Sequence, residues 1–361
     1  MTRCMTGPVM PSCGRAGFRV LREGAGMPYL FAPGVHRVPT SLAGEKPMSV
    51  RHRLAVVVAA AAVLSGALVG TAGPASAGPP ASTFGCQPTF ATLDPAGSLD
   101  ERIAVHENVT ATPWTDGVAH HSGVSTMSSM SSTHLESSDR WYFRSLMVRN
   151  GSLTHAMTSY PNGNPELRST TLRQYGRGWA PVTRLVDATD RGTAVTKNGY
   201  LYALNPTAGT LARYRVVEGR SFGDLTVTSA GSAAGYGGFR GLTLAYRLRA
   251  GYAGVADVLL ATTRAGALYQ ITISNTAAYA PKLTLLRASS WTFDQLAVVQ
   301  CDSSAALLGV RTATDEASLY RVDSFAGTSS VIRGYGRFGT APWTATSTVG
   351  SWYGMSGPSR W

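Results

Sequence analysis

Four aspartates, Asp187, Asp257, Asp294 and Asp323, are the groups in this chain that could form a catalytic carboxylate pair. Two such groups facing each other across a glycosidic bond would hydrolyse it, one as acid and one as base or nucleophile. Each lies in or beside an apolar, strand-like stretch, and none belongs to a motif. Ser125 in GVSTM and Ser356 in GMSGP lack the Gly-x-Ser-x-Gly frame that exposes a nucleophile on a tight elbow. His120 and His121 are adjacent, so in an extended segment their rings point opposite ways and cannot share a metal. They read as part of a solvated loop, and no metal site is expected. The Gly-rich stretch AGSAAGYGGFRG, 230 to 241, lacks the Gly-Lys-Ser/Thr ending of a phosphate loop and leads into a strand, so no cofactor is expected either. RQYGRGW (173 to 179) and RGYGRFG (333 to 339) mix Arg, Gly and aromatic residues as single-strand nucleic-acid binders do. They fall at matching points of a repeat, which favours a structural crossing and no nucleic-acid partner.

The order of segments near the start points to export. Arg51 and Arg53 precede an apolar run from Leu54 to Val69, and Ala75-Ser76-Ala77 follows, with Gly78 next. Basic, apolar and small-residue segments in that order make a signal peptide at 48–77, cleaved after Ala77, with no stable membrane insertion afterwards. Residues 1–47 carry no periodicity and read as a mispredicted, disordered extension. Without residues 1–77 the chain keeps 24 Lys and Arg against 18 Asp and Glu, so its net charge is +6 where the full sequence has +12. That moderate, dispersed excess does not call for a polyanionic partner. Two cysteines remain, Cys86 and Cys301, and outside the cell two cysteines pair.

What must position any site is a set of recurring strands. LMVRNGSLTHAM (146–157), AVTKNGYLYAL (194–204), LLATTRAGALYQI (259–271) and LLGVRTATDEASLYRV (307–322) each read as a hairpin, with Leu153, Leu201, Leu268 and Leu319 as equivalent inward positions. Before each hairpin an aromatic residue starts another short apolar strand, and the series is Trp114, Trp179, Phe239, Trp291 and Trp343, spaced 65, 60, 52 and 52. About four strands per period of this size is the signature of a propeller blade. The chain between the last aromatic and its end is too short for a blade, and FATLDPAGSLDERIAV (90–105) supplies strands at the other end. The expected fold over 78–361 is therefore all-β, a five-bladed β-propeller closed by N- and C-terminal strands, with six blades as the alternative. Cys86 and Cys301 would lock the seam. HHSGVSTMSSMSSTHLESSD (120–139) reads as a loop inserted in the first blade, and 230–241 as a lengthened connection.

NGYLYAL, with its weaker echoes GALYQI and ASLYRV, resembles the Asn-Gly-x-Leu-Tyr phrase of tachylectin-like five-bladed propeller lectins. The resemblance spans about residues 84–361. It implies a metal-free and non-catalytic lectin that binds N-acetylated amino sugars between its blades, and with the export segment the expectation is a secreted monomer that recognises surface or cell-wall glycans. Tyr202, Tyr269 and Tyr320 match the Tyr of that phrase, and Trp179 and Trp291 are candidate ring platforms beside them. A secreted glycoside hydrolase and a protein-binding scaffold are the alternatives.

Overall fold

In the computed structural model the described residues run from Pro88 to Trp352, apart from 106–107, 114–120, 136–137, 165–166, 190–197, 220–222, 249–255, 276–277, 302–303, 339–342 and 344–345. The leader at 1–77, Cys86, Trp114 and the tail after Trp352 lie outside them.

The described residues are all-β in a propeller-like arrangement of four sheets, and their one helical element is a single 3-10 turn. Three strands come first, β1 (Thr89–Leu93), β2 (Leu99–Val105) and β3 (Asn108–Pro113). Next are β4 (Val124–Met127), β5 (Met130–Leu135), β6 (Arg140–Arg149), β7 (Ser152–Pro161) and β8 (Ser169–Arg177). Three antiparallel four-strand sheets follow in plain sequence order. The first is β9 (Arg184–Thr189), β10 (Asn198–Asn205), β11 (Thr210–Glu218) and β12 (Leu225–Ala234). The second is β13 (Phe239–Leu248), β14 (Ala256–Thr263), β15 (Leu268–Ser274) and β16 (Lys282–Arg287). The third is β17 (Gln295–Gln300), β18 (Ala305–Arg311), β19 (Glu316–Ser324) and β20 (Val331–Arg337), and β21 (Ser347–Trp352) ends the series.

The fourth sheet has nine strands in the order β3-β2-β1-β21-β5-β6-β7-β8, with β4 on β6. Within it β21 pairs antiparallel with β1, Phe90 opposite Gly350, and touches β5 through a short parallel ladder at Ser351 and Trp352. Inner strands such as β14 and β17 are mostly apolar and buried on both faces, while the outermost strands β8, β16 and β20 are largely exposed. Five clusters result, each between neighbouring sets of strands: Leu146, Leu153, Leu201 and Val216 share one, and Phe90, Leu308 and Trp343 another.

Local chemistry explains the turns. Asn150 and Gly151 both take positive φ, 49° and 71°, the pair of values a two-residue hairpin demands, and they join β6 to β7 as expected. Asn198-Gly199 does not make a turn. Both residues lie inside β10, and Gly199 is there because a Cβ would stand 2.6 Å from the Ala188 carbonyl oxygen of β9. The hairpin of that sheet is β10–β11, closed by a turn over Pro206 to Gly209. Register then makes Leu211 the partner of Leu153 and Leu268 in the repeat, in place of Leu201. In the next copy the longer turn, Arg311 opposite Glu316, moves the equivalent position from Leu319 to Ala317.

Two expected loops are strands. The Ser-rich segment 120–139 contains β4 and β5, which together edge β6, with Met127 and Met130 buried between serines. Ser128 breaks the edge: its N–H donates to the Leu146 carbonyl and its Oγ accepts from the Leu146 N–H. In 230 to 241, β12 continues to Ala234 and β13 begins at Phe239, which leaves four residues of connection.

Candidate functional site

One backbone contact recurs wherever the chain passes from an outer strand to the next inner one. Trp179 N–H donates to Gly151 O at 2.9 Å, Tyr236 to Gly209 O at 2.9 Å, Trp291 to Gly266 O at 2.8 Å and Trp343 to Asp315 O at 3.4 Å. Every acceptor has positive φ, between 51° and 84°. That conformation turns each hairpin carbonyl toward the following connection. His121 stands at the same place, since a Cβ on Gly97 (φ 90°) would meet its carbonyl carbon at 2.7 Å. His121, Trp179, Tyr236, Trp291 and Trp343 are thus the repeat markers, 58, 57, 55 and 52 residues apart.

This corrects two readings. His121 is 5% exposed and not in a solvated loop, because its position in the repeat is an interior one. Tyr236, and not Phe239, marks the third junction. A signal for both existed in the small residues that follow: H-S-G-V, W-A-P-V and Y-G-G-F each close a turn in which the fourth N–H donates to the first carbonyl.

The aromatic side chains at these junctions pack in pairs. Trp179 lies 4.7 Å from Tyr214 between ring centroids, and Trp291 lies 4.6 Å from Tyr320, at interplanar angles of 41° and 32°. Phe239 touches Tyr236 at 5.2 Å and Tyr269 at 5.5 Å. Both tryptophans are buried, while Tyr214, Tyr269 and Tyr320 keep a partly exposed edge. The structure therefore joins Trp291 with Tyr320, and gives Trp179 the partner Tyr214, which the Leu-Tyr phrase did not point to. Tyr202 is elsewhere: it is fully buried, and its hydroxyl donates to Asp257 Oδ2 at 2.7 Å.

The four aspartates serve the scaffold. Asp187 Oδ1 accepts from the Thr189 N–H, and Asp257 accepts from Tyr202. Asp323 is held by Arg321 and Arg333. Asp294 binds Arg240 through one oxygen at 3.0 Å and the N–H and hydroxyl of Thr312 through the other. Close to the Tyr202–Asp257 pair, the Arg213 guanidinium lies between the rings of Tyr200 and Tyr279, 4.5 and 4.8 Å from their centroids. It donates to the Ser274 and Ala230 carbonyls.

Burial pushes the Tyr236 hydroxyl up to about 12, and burial likewise raises Tyr279 and Tyr202, the latter further through the charge of Asp257. A tyrosine whose folded pKa is raised contributes stability that is complete below the unfolded value near 10 and is lost as pH climbs through the folded one. The expected thermal midpoint is level up to about pH 10 and falls between about 10 and 12, with tyrosinate absorbance growing only as the protein unfolds. Tyrosinate formed in full by about pH 11 at an unchanged midpoint would show instead that these hydroxyls meet solvent.

Residues from β4, β9, β13, β17 and β21 line a small cavity with space for about one water molecule. Arg184 of β9 reaches past β13 to the sheet of β17, where its Nε and Nη2 donate to the Asp294 carbonyl at 3.2 and 2.7 Å. Its Nη1 donates to the Thr183 carbonyl. Burial lowers this guanidinium to about 10, against the opposing pull of Asp294. The residues lining the cavity include no carboxylate.

No protein-family model and no curated protein matches the chain. Among solved structures it is similar to the SapL1 lectin in complex with alpha methyl fucoside, at 12% identity and a TM-score of 0.38, over 68% of this chain and 79% of that one. It is also similar to the WD40 domain of SCAP from fission yeast, at 7% identity and a TM-score of 0.32, over 71% of this chain and 56% of that one.

Proposed function

We propose that this chain is a secreted, non-catalytic carbohydrate-binding protein, a ring of five blades closed by strands from both ends, that recognises surface or cell-wall glycans through several weak sites. Five blades follow if the nine-stranded sheet is two blades meeting at β21 and β5. In support, β9 packs on β13, β13 on β17, β17 on β21, β21 on β4 and β4 on β9. The Ser347 hydroxyl adds a contact from β21 to the backbone of Met127 in β4. The Cys86–Cys301 bridge and cleavage after Ala77 belong to the same proposal.

The observation that carries sugar binding is repetition. The same junction returns with a tyrosine edge exposed beside a buried ring, as in Trp179–Tyr214, Phe239–Tyr269 and Trp291–Tyr320. Apolar ring faces next to polar backbone suit the flat faces of sugar rings, and copies spaced around a circle suit a polymer that repeats its own epitope. Tyr202 packs in the interior of one of these junctions, in the cluster of Tyr236 and Phe239. The resemblance of the Leu-Tyr phrase to tachylectin-like lectins names the first ligands to try, N-acetylated amino sugars.

The test is retention of the mature protein on chitin and peptidoglycan, followed by a glycan array. Tyr214→Ala and Tyr320→Ala are each expected to weaken retention several-fold and together more than about tenfold, since avidity depends on simultaneous engagement. No retention on any glycan would overturn the reading, and turnover of chromogenic glycosides would replace it with an enzyme.

A further inference from the structure

The small cavity among β4, β9, β13, β17 and β21 has an unusual lining. At one level of the repeat the inner strands contribute Met127, Leu185, Leu242, Leu296 and Thr348 to that lining, each at the same register step from its hairpin. Four are apolar and the fifth is a threonine. Thr348 is only 4% exposed, and its hydroxyl has no hydrogen-bond partner among the described residues. A buried hydroxyl left without a partner is unfavourable, so a site of this kind calls for a small polar occupant.

The charge nearby selects the kind of occupant. Arg184 lines the same cavity, and three of the five N–H groups of its guanidinium are used on carbonyl oxygens, which leaves two. Arg240 lies at the same end, and among the described residues the carboxylate that meets it, Asp294, is shared between the Arg240 ion pair and Thr312. Two guanidinium groups against one carboxylate leave a positive excess. The Ser347 hydroxyl, the other short donor on β21, is engaged by the Met127 backbone.

We propose that this cavity binds one small monovalent anion, a halide such as chloride, between the Thr348 hydroxyl and the Arg184 guanidinium. A halide is about the size of the water that the cavity admits. It accepts hydrogen bonds from several directions and tolerates apolar neighbours such as the Leu and Met side chains. The ion would tie together strands from sheets that share no backbone ladder, so its effect would be on the stability of the ring and not on glycan recognition.

The experiment uses the full mature protein and halide salts. Thermal midpoints are compared in sodium chloride, sodium bromide and sodium gluconate at equal ionic strength, and crystals grown in bromide are measured at the bromine edge. A midpoint several degrees higher in both halides is expected, with one anomalous peak in the cavity beside Thr348. Thr348→Val keeps the shape and removes the donor, so it should abolish the halide increment while its midpoint in gluconate stays near that of the wild type. Equal midpoints in all three salts, or a cavity without an anomalous peak, would overturn the proposal in favour of a water molecule. Neither outcome bears on retention by glycan resins, so this inference and the sugar-binding reading can fail separately.

Discussion

Glu218→Gln is expected to destabilise the protein by about 3–5 kcal/mol, the range for removing one partner of a buried ion pair. Glu218 receives the Arg144 guanidinium at 2.6 Å, and the two side chains are 1% and 3% exposed. The same oxygen accepts the Gly223 N–H at 2.6 Å. Around Gly223, the His155 Nδ1 and the Tyr175 hydroxyl both meet its carbonyl oxygen, and the Leu225 N–H donates to that hydroxyl. Arg144, His155 and Tyr175 stand on β6, β7 and β8, and Glu218 ends β11, so this knot fastens one sheet to the next. A neutral amide at 218 leaves a guanidinium buried without its counter-charge, and that desolvated cation is the source of the loss. Replacing Arg144 by Met as well removes the stranded charge. Urea unfolding of the double variant should therefore show a smaller loss than the sum of the two single variants, by at least about 1 kcal/mol. Additive losses would mean that the two residues act independently and that the junction is held by its apolar cluster alone.

That knot was not legible in the sequence, and the reason is physical. Arg144 and Glu218 are 74 positions apart, on strands whose side-chain direction depends on register, and register was misread wherever glycine serves close approach instead of a turn. Asn150-Gly151 and Asn198-Gly199 look alike as dipeptides. Only the first takes a left-handed pair of φ values, since it joins β6 to β7, whereas Asn198-Gly199 lies within β10. The all-β class and the hairpins at 150 and 264–267 followed from alternation and turn chemistry, which are local. β4 and β5 did not, since a strand built from Ser, Thr and Met has too little apolar contrast to signal its buried face. The junction aromatics were half visible: the bulk of Trp179, Trp291 and Trp343 marked them. His121 and Tyr236 were hidden, because what the position requires is a backbone N–H aimed at a turn carbonyl, and any residue except proline can supply that.

Reducing the disulfide at Cys301 is expected to cost about 5 kcal/mol and to open the molecule at one place first. Cys301 is disulfide-bonded and buried, in the cluster that also holds Phe90, Phe338 and Trp343. Its partner lies outside the described residues, and the proposed pairing is with Cys86, two residues before the described chain begins. A cross-link of that span removes a large part of the conformational freedom of the unfolded chain, and so it stabilises the folded state more than a short-range one would. It would act beside the ladder of β1 with β21, which pairs the first described strand with the last. The other sheets are each built from one continuous run of sequence and hold together without it. After reduction, hydrogen exchange should therefore rise first in β1, β2 and β21, while β9 to β12 stay protected at the same urea concentration. A tryptic fragment pair joining the segments around 86 and 301 would identify the partner. Uniform loss of protection across all sheets, or exchange beginning in β9 to β12, would show that the β1–β21 seam is not the weakest point of the fold.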